Sequence, residues 1–159
     1  MNPARRHLTI TGVTLAIAAA TTAAFAQQAP KPEQFIKTRQ SVFQLVAWNA
    51  GRVKASLDGS YNKEDVIRAS NAIAALANSG LGSLFPAGTE RGKGWHDTSV
   101  KPELFEDQKR AGEHAANFSK EATELARVAA VGEPAAVKDQ FAKLQRTCKT
   151  CHDDFRVKR

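Results

Sequence analysis

The stretch PAAVKDQFAKLQRTCKTCHDDFR, residues 134–156, decides how the chain folds. Its apolar positions Val137, Phe141, Leu144, Cys148, Cys151 and Phe155 alternate steps of four and three, the spacing that lines one face of an α-helix. Pro134 suits the first turn, where its missing N–H has no intrahelical partner. The same periodicity recurs upstream. A first helix is predicted from after Pro30 and Pro32 to about Leu57, with the stripe Ile36, Arg39, Phe43, Val46, Ala50, Val53 and Leu57, closed by Asp58-Gly59-Ser60. Asn62 caps a second, with Glu64 and Asp65 in its first turn and Val66, Ala69, Ile73 and Leu76 inward, ending near Gly80. A third has Pro102 near its first turn and directs Leu104, Gln108, Ala111, Ala115, Phe118, Ala122, Leu125 and Ala129 inward until Gly132 stops it. No period-2 run of β-branched or aromatic residues is present, so the chain reads as all-α, an up-and-down antiparallel four-helix bundle.

The chain has 159 residues, 42% hydrophobic and 25% charged, which suits one domain. Residues 1–26 read as an export signal: Arg5 and Arg6 give a positive start, Leu15 to Ala20 an apolar run, and Ala24-Phe25-Ala26 a cleavage site. That apolar run is too short and too broken by threonines for a membrane span, so residues 27–159 are expected as a periplasmic domain without an anchor. Cleavage removes two of the 23 basic residues and none of the 16 acidic ones, lowering the net charge from +7 to +5. Such a mild excess without interleaved aromatics gives no nucleic-acid face.

Between Gly80 and Lys101 lies a long connection that holds Gly80, Gly82, Gly88, Gly92 and Gly94, half of the 10 glycines. It also carries Phe85 and Trp95. Such a loop either tucks two aromatics over an open bundle end or covers a bound cofactor. The only cysteines stand as Cys148-Lys149-Thr150-Cys151-His152, the C-x-x-C-H pattern of covalent haem attachment. Residues three apart share a helix face, so both sulfurs can reach the haem vinyl groups while His152 reaches the iron. A redox dithiol would want a βα context, a disulfide here would close too small a loop to stabilise much, and zinc would need a further ligand from His96, His114 or a carboxylate.

The single methionine is Met1, which leaves with the signal, so no methionine of the mature chain ligates the iron. A second histidine, His96 or His114, a weaker donor, or an open site remains. Arg39 interrupts an apolar stripe, and a guanidinium buried there needs an anion, which a haem propionate would supply; a bundle carboxylate or snorkelling to the surface is the alternative. Phe43, one turn on, would then point over the haem plane.

On Lys37-Thr38-Arg39-Gln40-Ser41, on Phe85-Pro86-Ala87-Gly88-Thr89-Glu90 with Trp95, and on Cys148 to Arg156, the mature chain resembles the cytochrome c prime family over nearly all its length. That resemblance implies a four-helix bundle enclosing one haem c, held by Cys148 and Cys151 with His152 on the iron. It further implies that Arg39 and Gln40 bind at the haem edge, Phe43 lines the distal side, Phe85 and Trp95 wall the haem, and Arg156 lies near the proximal face. A high-spin, five-coordinate iron that binds nitric oxide and carbon monoxide is the implied function, a binding role rather than an enzyme's. The bulky Phe43 is expected to restrict ligand entry. The alternative is an electron-transfer cytochrome cycling between ferric and ferrous iron with a redox partner. The resemblance also implies a homodimer through the first two helices, for which Leu45 and Trp48, off the Arg39 stripe, are candidate contacts; the alternative is that both complete the bundle core.

Overall fold

Proline and asparagine set the helix starts that the sequence marks. The computed structural model describes residues 30–158, so the expected signal segment and its cleavage site lie outside the described residues. Helix α1 runs Pro32–Asp58, α2 Lys63–Ala77, α3 Glu103–Glu106, α4 Gln108–Val131 and α5 Pro134–Phe155, with a 3-10 turn at Leu81–Leu84. The described residues contain no strand, only isolated pairings of Lys93 with Asp97 and of Val100 with Arg156. At the α1 start the Lys31 amide donates to Gln34 Oε1 at 2.9 Å. Ser56 Oγ accepts from the Asn62 amide at 2.8 Å, and Asn62 Oδ1 accepts from the Asp65 amide at 3.0 Å, so the α1–α2 turn is closed from both sides. Arg52 pairs with Asp65 across the same turn.

The third predicted helix is two. α3 is one turn, and Asp107 breaks it from α4 by accepting from the Arg110 amide at 3.0 Å, a cap that competes successfully with continuing the helix. The expected inward row is likewise shorter than predicted. Gln108 and Ala115 are exposed, Phe118 is half-buried, and full burial on α4 begins at Ala122 and continues through Leu125 and Ala129. α2 ends at Ala77, slightly before Gly80, where Asn78 Nδ2 donates to the Ala74 carbonyl and to Thr123 Oγ1 of α4.

The helices pack in chain order, α1 on α2, α2 on α4 and α4 on α5, whereas α1 and α5 touch only lightly. The apolar core fills one part of the bundle: Val46 and Val53 of α1, Val66, Ala69 and Ile73 of α2, Ala122, Leu125 and Ala129 of α4, and Val137, Phe141 and Leu144 of α5. Along α1 it starts just after Phe43, and along α5 it stops one turn before Cys148. The expected stripe of α1 holds at Ile36, Arg39, Val46 and Val53 and fails at Phe43, which is 38% exposed. No helix among the described residues is long and apolar enough to cross a membrane.

Candidate haem site

α5 carries Cys148, Cys151 and His152 past the end of the core. Both cysteines are free thiols and half-buried, a turn apart on the face that Leu144 and Phe155 share. Burial pushes the Cys148 thiol up, against opposing hydrogen bonds from Thr147 and the backbone, and burial together with Asp154 and Cys148 does the same for Cys151. A raised thiol pKa runs against the activation that a redox dithiol needs. Among the described residues no group of three or more His, Cys, Asp or Glu side chains is placed to hold a metal ion. His152 is exposed at the end of α5, and crowding by its neighbours, then Arg156, lowers its pKa below the ordinary histidine value with Asp153 opposing, which favours the neutral ring that a metal ligand needs.

α1 and the long loop supply an aromatic surface. Phe85, half-buried, meets Phe43 edge-on at 6.4 Å between ring centroids and lies 6.4 Å from Phe105 of α3. The Arg39 guanidinium stacks over Phe85 at 5.0 Å. Only 3% of Arg39 is exposed. Its partners are neutral oxygens: Nη1 donates to Thr89 Oγ1 at 2.8 Å, while Nη2 donates to the Thr89 carbonyl at 2.7 Å and to Thr98 Oγ1 at 2.8 Å. Burial pulls its pKa below the ordinary value, and Glu90 offsets part of this through space. The anion that sequence reasoning demanded for this guanidinium is therefore replaced, within the protein, by loop hydroxyl and carbonyl oxygens.

Gln40 and Trp95 form a second seam. Gln40 Oε1 accepts from the Trp95 amide at 2.7 Å and Gln40 Nε2 donates to the His96 carbonyl at 2.9 Å. The indole of Trp95, 61% exposed, donates to Ser41 Oγ at 2.7 Å and lies 3.9 Å from Lys37 Nζ. Lys37 and Ser41 project from the side of α1 nearly opposite Arg39 and Phe43. The structure thus brings Arg39, Phe43 and Phe85 together, and places Trp95 on the other flank of the same helix. His96 is exposed in the loop beside the Asp97 carbonyl and Gln40. His114 Nε2 and Asp154 Oδ2 are 2.8 Å apart, with the His114 ring edge-on to Phe155. Arg156 is exposed and caps α5, its amide donating to the His152 carbonyl at 3.0 Å.

Sequence reasoning missed Thr89, Thr98 and Lys101. Lys101 Nζ donates to the Asp153 and Asp154 carbonyls at 3.1 and 2.9 Å, in the turn that follows His152. A buried arginine announces that oxygens must surround it, but not which threonines of a loop fifty residues away provide them.

The fit to a haem is read from what the core leaves out. Two thiols share one helix face beside His152, and the paired rings of Phe43 and Phe85 lie outside the apolar core cluster. Fold and donor set together define a c-type haem protein built on a helical bundle. The family profile Cytochrome C' matches residues 34–156. Cytochrome c' of Rhodocyclus tenuis is 62% identical over 129 residues, covering 80% of this chain and 97% of that one. Two solved structures align over their whole length. One is a cytochrome c' with an unusual ligand-controlled dimer dissociation, with TM-score 0.79, 44% identity and 82% of this chain covered. The other is a nitric oxide complex of a mutant cytochrome c prime from Alcaligenes xylosoxidans, with TM-score 0.71, 26% identity and 83% covered. The chain belongs to the cytochrome c' family, whose members bind haem c, and its two cysteines suit covalent attachment.

Proposed function

We propose that this cytochrome c' is a periplasmic gas-binding protein: nitric oxide and carbon monoxide bind at an open sixth position of the haem iron, which serves nitric oxide scavenging or carriage. Cys148 and Cys151 hold the haem through thioethers, His152 is the axial ligand, and the iron supplies ligand-binding and one-electron chemistry. The observation that carries this reading is the engagement of both other described histidines elsewhere, His96 with Gln40 and the Asp97 carbonyl, His114 with Asp154. As distal residues Phe43 and Phe85 would present rings without a hydrogen-bond donor, an environment that gives polar bound oxygen no stabilising partner and costs neutral nitric oxide nothing. Arg39, held by Thr89 and Thr98, and Phe85 would flank the haem edge, with Arg156 following His152, while Gln40 and Trp95 would act on the other flank of α1 by fixing the loop. The relative whose nitric oxide complex is known supports the ligand class.

A second reading, electron transfer, draws on the open hollow lined by His152, Asp153, Arg156, Val157 and Lys158, whose cations Arg156 and Lys158 suit an acidic redox partner. The deciding experiment is the visible and resonance Raman spectrum of the ferrous protein before and after nitric oxide. High-spin five-coordinate iron that changes with the gas supports the first reading. Low-spin six-coordinate bands indifferent to the gas overturn it and place electron transfer first.

A further inference from the structure

The loop segment Ser99–Lys101 closes over the end of α5. The Val157 amide donates to the Ser99 carbonyl at 2.8 Å, and the Lys101 amide donates to the Phe155 carbonyl at 2.9 Å. Onto this backbone clasp the half-buried Lys101 side chain adds its two bonds to the Asp153 and Asp154 carbonyls. The last carbonyls of a helix lack intrahelical partners and carry the negative end of its dipole, so an ammonium is at home there. What sets this one apart is its place, on the carbonyls of the two residues that follow His152. The neighbouring carboxylates are paired with other groups, Asp153 with Lys149, and Asp154 with His114 and Arg110. Lys101 makes no ion pair among the described residues; its partners there are backbone carbonyls.

We propose that Lys101 is a positioning residue for the haem centre: clasped on the Asp153 and Asp154 carbonyls, it fixes the turn that presents His152 and holds there a positive charge that favours ferrous over ferric iron. This rests on the reading of His152 as axial ligand. Reduction by one electron from an external donor lowers the charge on the iron by one. A fixed cation nearby stabilises the less positive state, and partial burial spares that cation much of the screening by salt.

The test compares Lys101→Arg, Lys101→Gln and Lys101→Met in the full haem-loaded chain, by mediated potentiometric titration and by the iron–histidine Raman band. Amide hydrogen exchange at Arg156 is followed in parallel on protein with and without haem. At a fixed solution potential, Gln and Met shift the ferric-to-ferrous ratio several-fold toward ferric, Arg stays near the wild type, and Met speeds exchange at Arg156 whether or not haem is attached. Unchanged potentials in Gln and Met overturn the proposal. So does an equal shift in all three variants, which assigns the effect to packing. Wild-type protein without covalent haem after denaturation would instead overturn the haem reading on which the proposal rests, while the Arg156 exchange still reports whether the clasp exists.

Discussion

Arg39 on α1 and Thr89 in the loop, fifty residues apart, are joined by two bonds of 2.8 and 2.7 Å, from separate guanidinium nitrogens to the threonine hydroxyl and carbonyl. Thr89 is itself 1% exposed, and its hydroxyl donates to the Pro86 carbonyl at 2.8 Å, so one buried side chain links helix, loop and turn.

Thr89→Val therefore leaves a buried guanidinium N–H and the Pro86 carbonyl without their hydroxyl partner while keeping shape. The expected loss is about 1.5–3 kcal/mol, the scale of a hydrogen bond to a charged group removed from one side. Denaturant unfolding measures it, and a loss below about 0.5 kcal/mol would show that water replaces the hydroxyl freely.

How much of this was legible beforehand follows from which interactions are local. The ends of α1, the Asn62 cap and the stop at Gly132 depend on residues within a turn of the boundary, and they were readable from spacing alone. The C-x-x-C-H helix was readable for the same reason. The break at Asp107 was hidden because Pro102 and Leu104 fit a helix start as well as Asp107 does, and the spacing does not show that the Asp107 carboxylate takes the Arg110 amide. Arg39 was recognised as anomalous, yet its partners Thr89 and Thr98 belong to a glycine-rich loop whose path no periodicity encodes. The loop role of Lys101 is of the same long-range kind.

Leu45 and Trp48 are 51% and 61% exposed, so within one chain they do not complete the core, and Arg52 covers one face of the Trp48 ring at 4.8 Å. Large apolar side chains standing open on α1 suit a contact with a second copy. Trp48→Glu is expected to weaken self-association at least about tenfold, as loss of a central aromatic anchor does. Sedimentation velocity across a dilution series reads it, and identical association of mutant and wild type would remove this face from the interface.

Tyr61 is the only tyrosine, and its buried hydroxyl has no hydrogen-bond partner among the described residues. Burial, then the nearby Glu133 carboxylate, raises its pKa above the ordinary value. Because the folded value is the higher one, this contribution to stability is complete below the unfolded tyrosine pKa of about 10 and is lost as pH rises through the folded value. Ultraviolet difference titration of this one phenol should show ionisation later than in the unfolded chain. Tyr61→Phe removes an unsatisfied group and is expected to raise stability at neutral pH by about 0.5–1 kcal/mol. A comparable loss would mean that the hydroxyl has a partner in solution.

Gly94 sits where the loop crosses α1. A Cβ at this position would fall 2.5 Å from Gln40 Oε1, 2.7 Å from the Lys37 amide nitrogen and 2.8 Å from Lys37 Cα. Gln40 could rotate away, but the Lys37 backbone is part of a helix and cannot. Gly94→Ala must therefore lift the loop, which stretches the bonds from Gln40 to Trp95 and His96 and from the Trp95 indole to Ser41. The expected cost is about 1–3 kcal/mol, typical of overpacking against a rigid neighbour. The Trp95 emission should shift to the red as the indole loses Lys37 and Ser41, with Trp48→Phe as the background that isolates it. Gly82→Ala is the control, since a Cβ there meets nothing within 4 Å. If Gly94→Ala behaves like this control in both stability and emission, the loop does not press on α1 in solution, and the seam through Gln40 does not hold it in place.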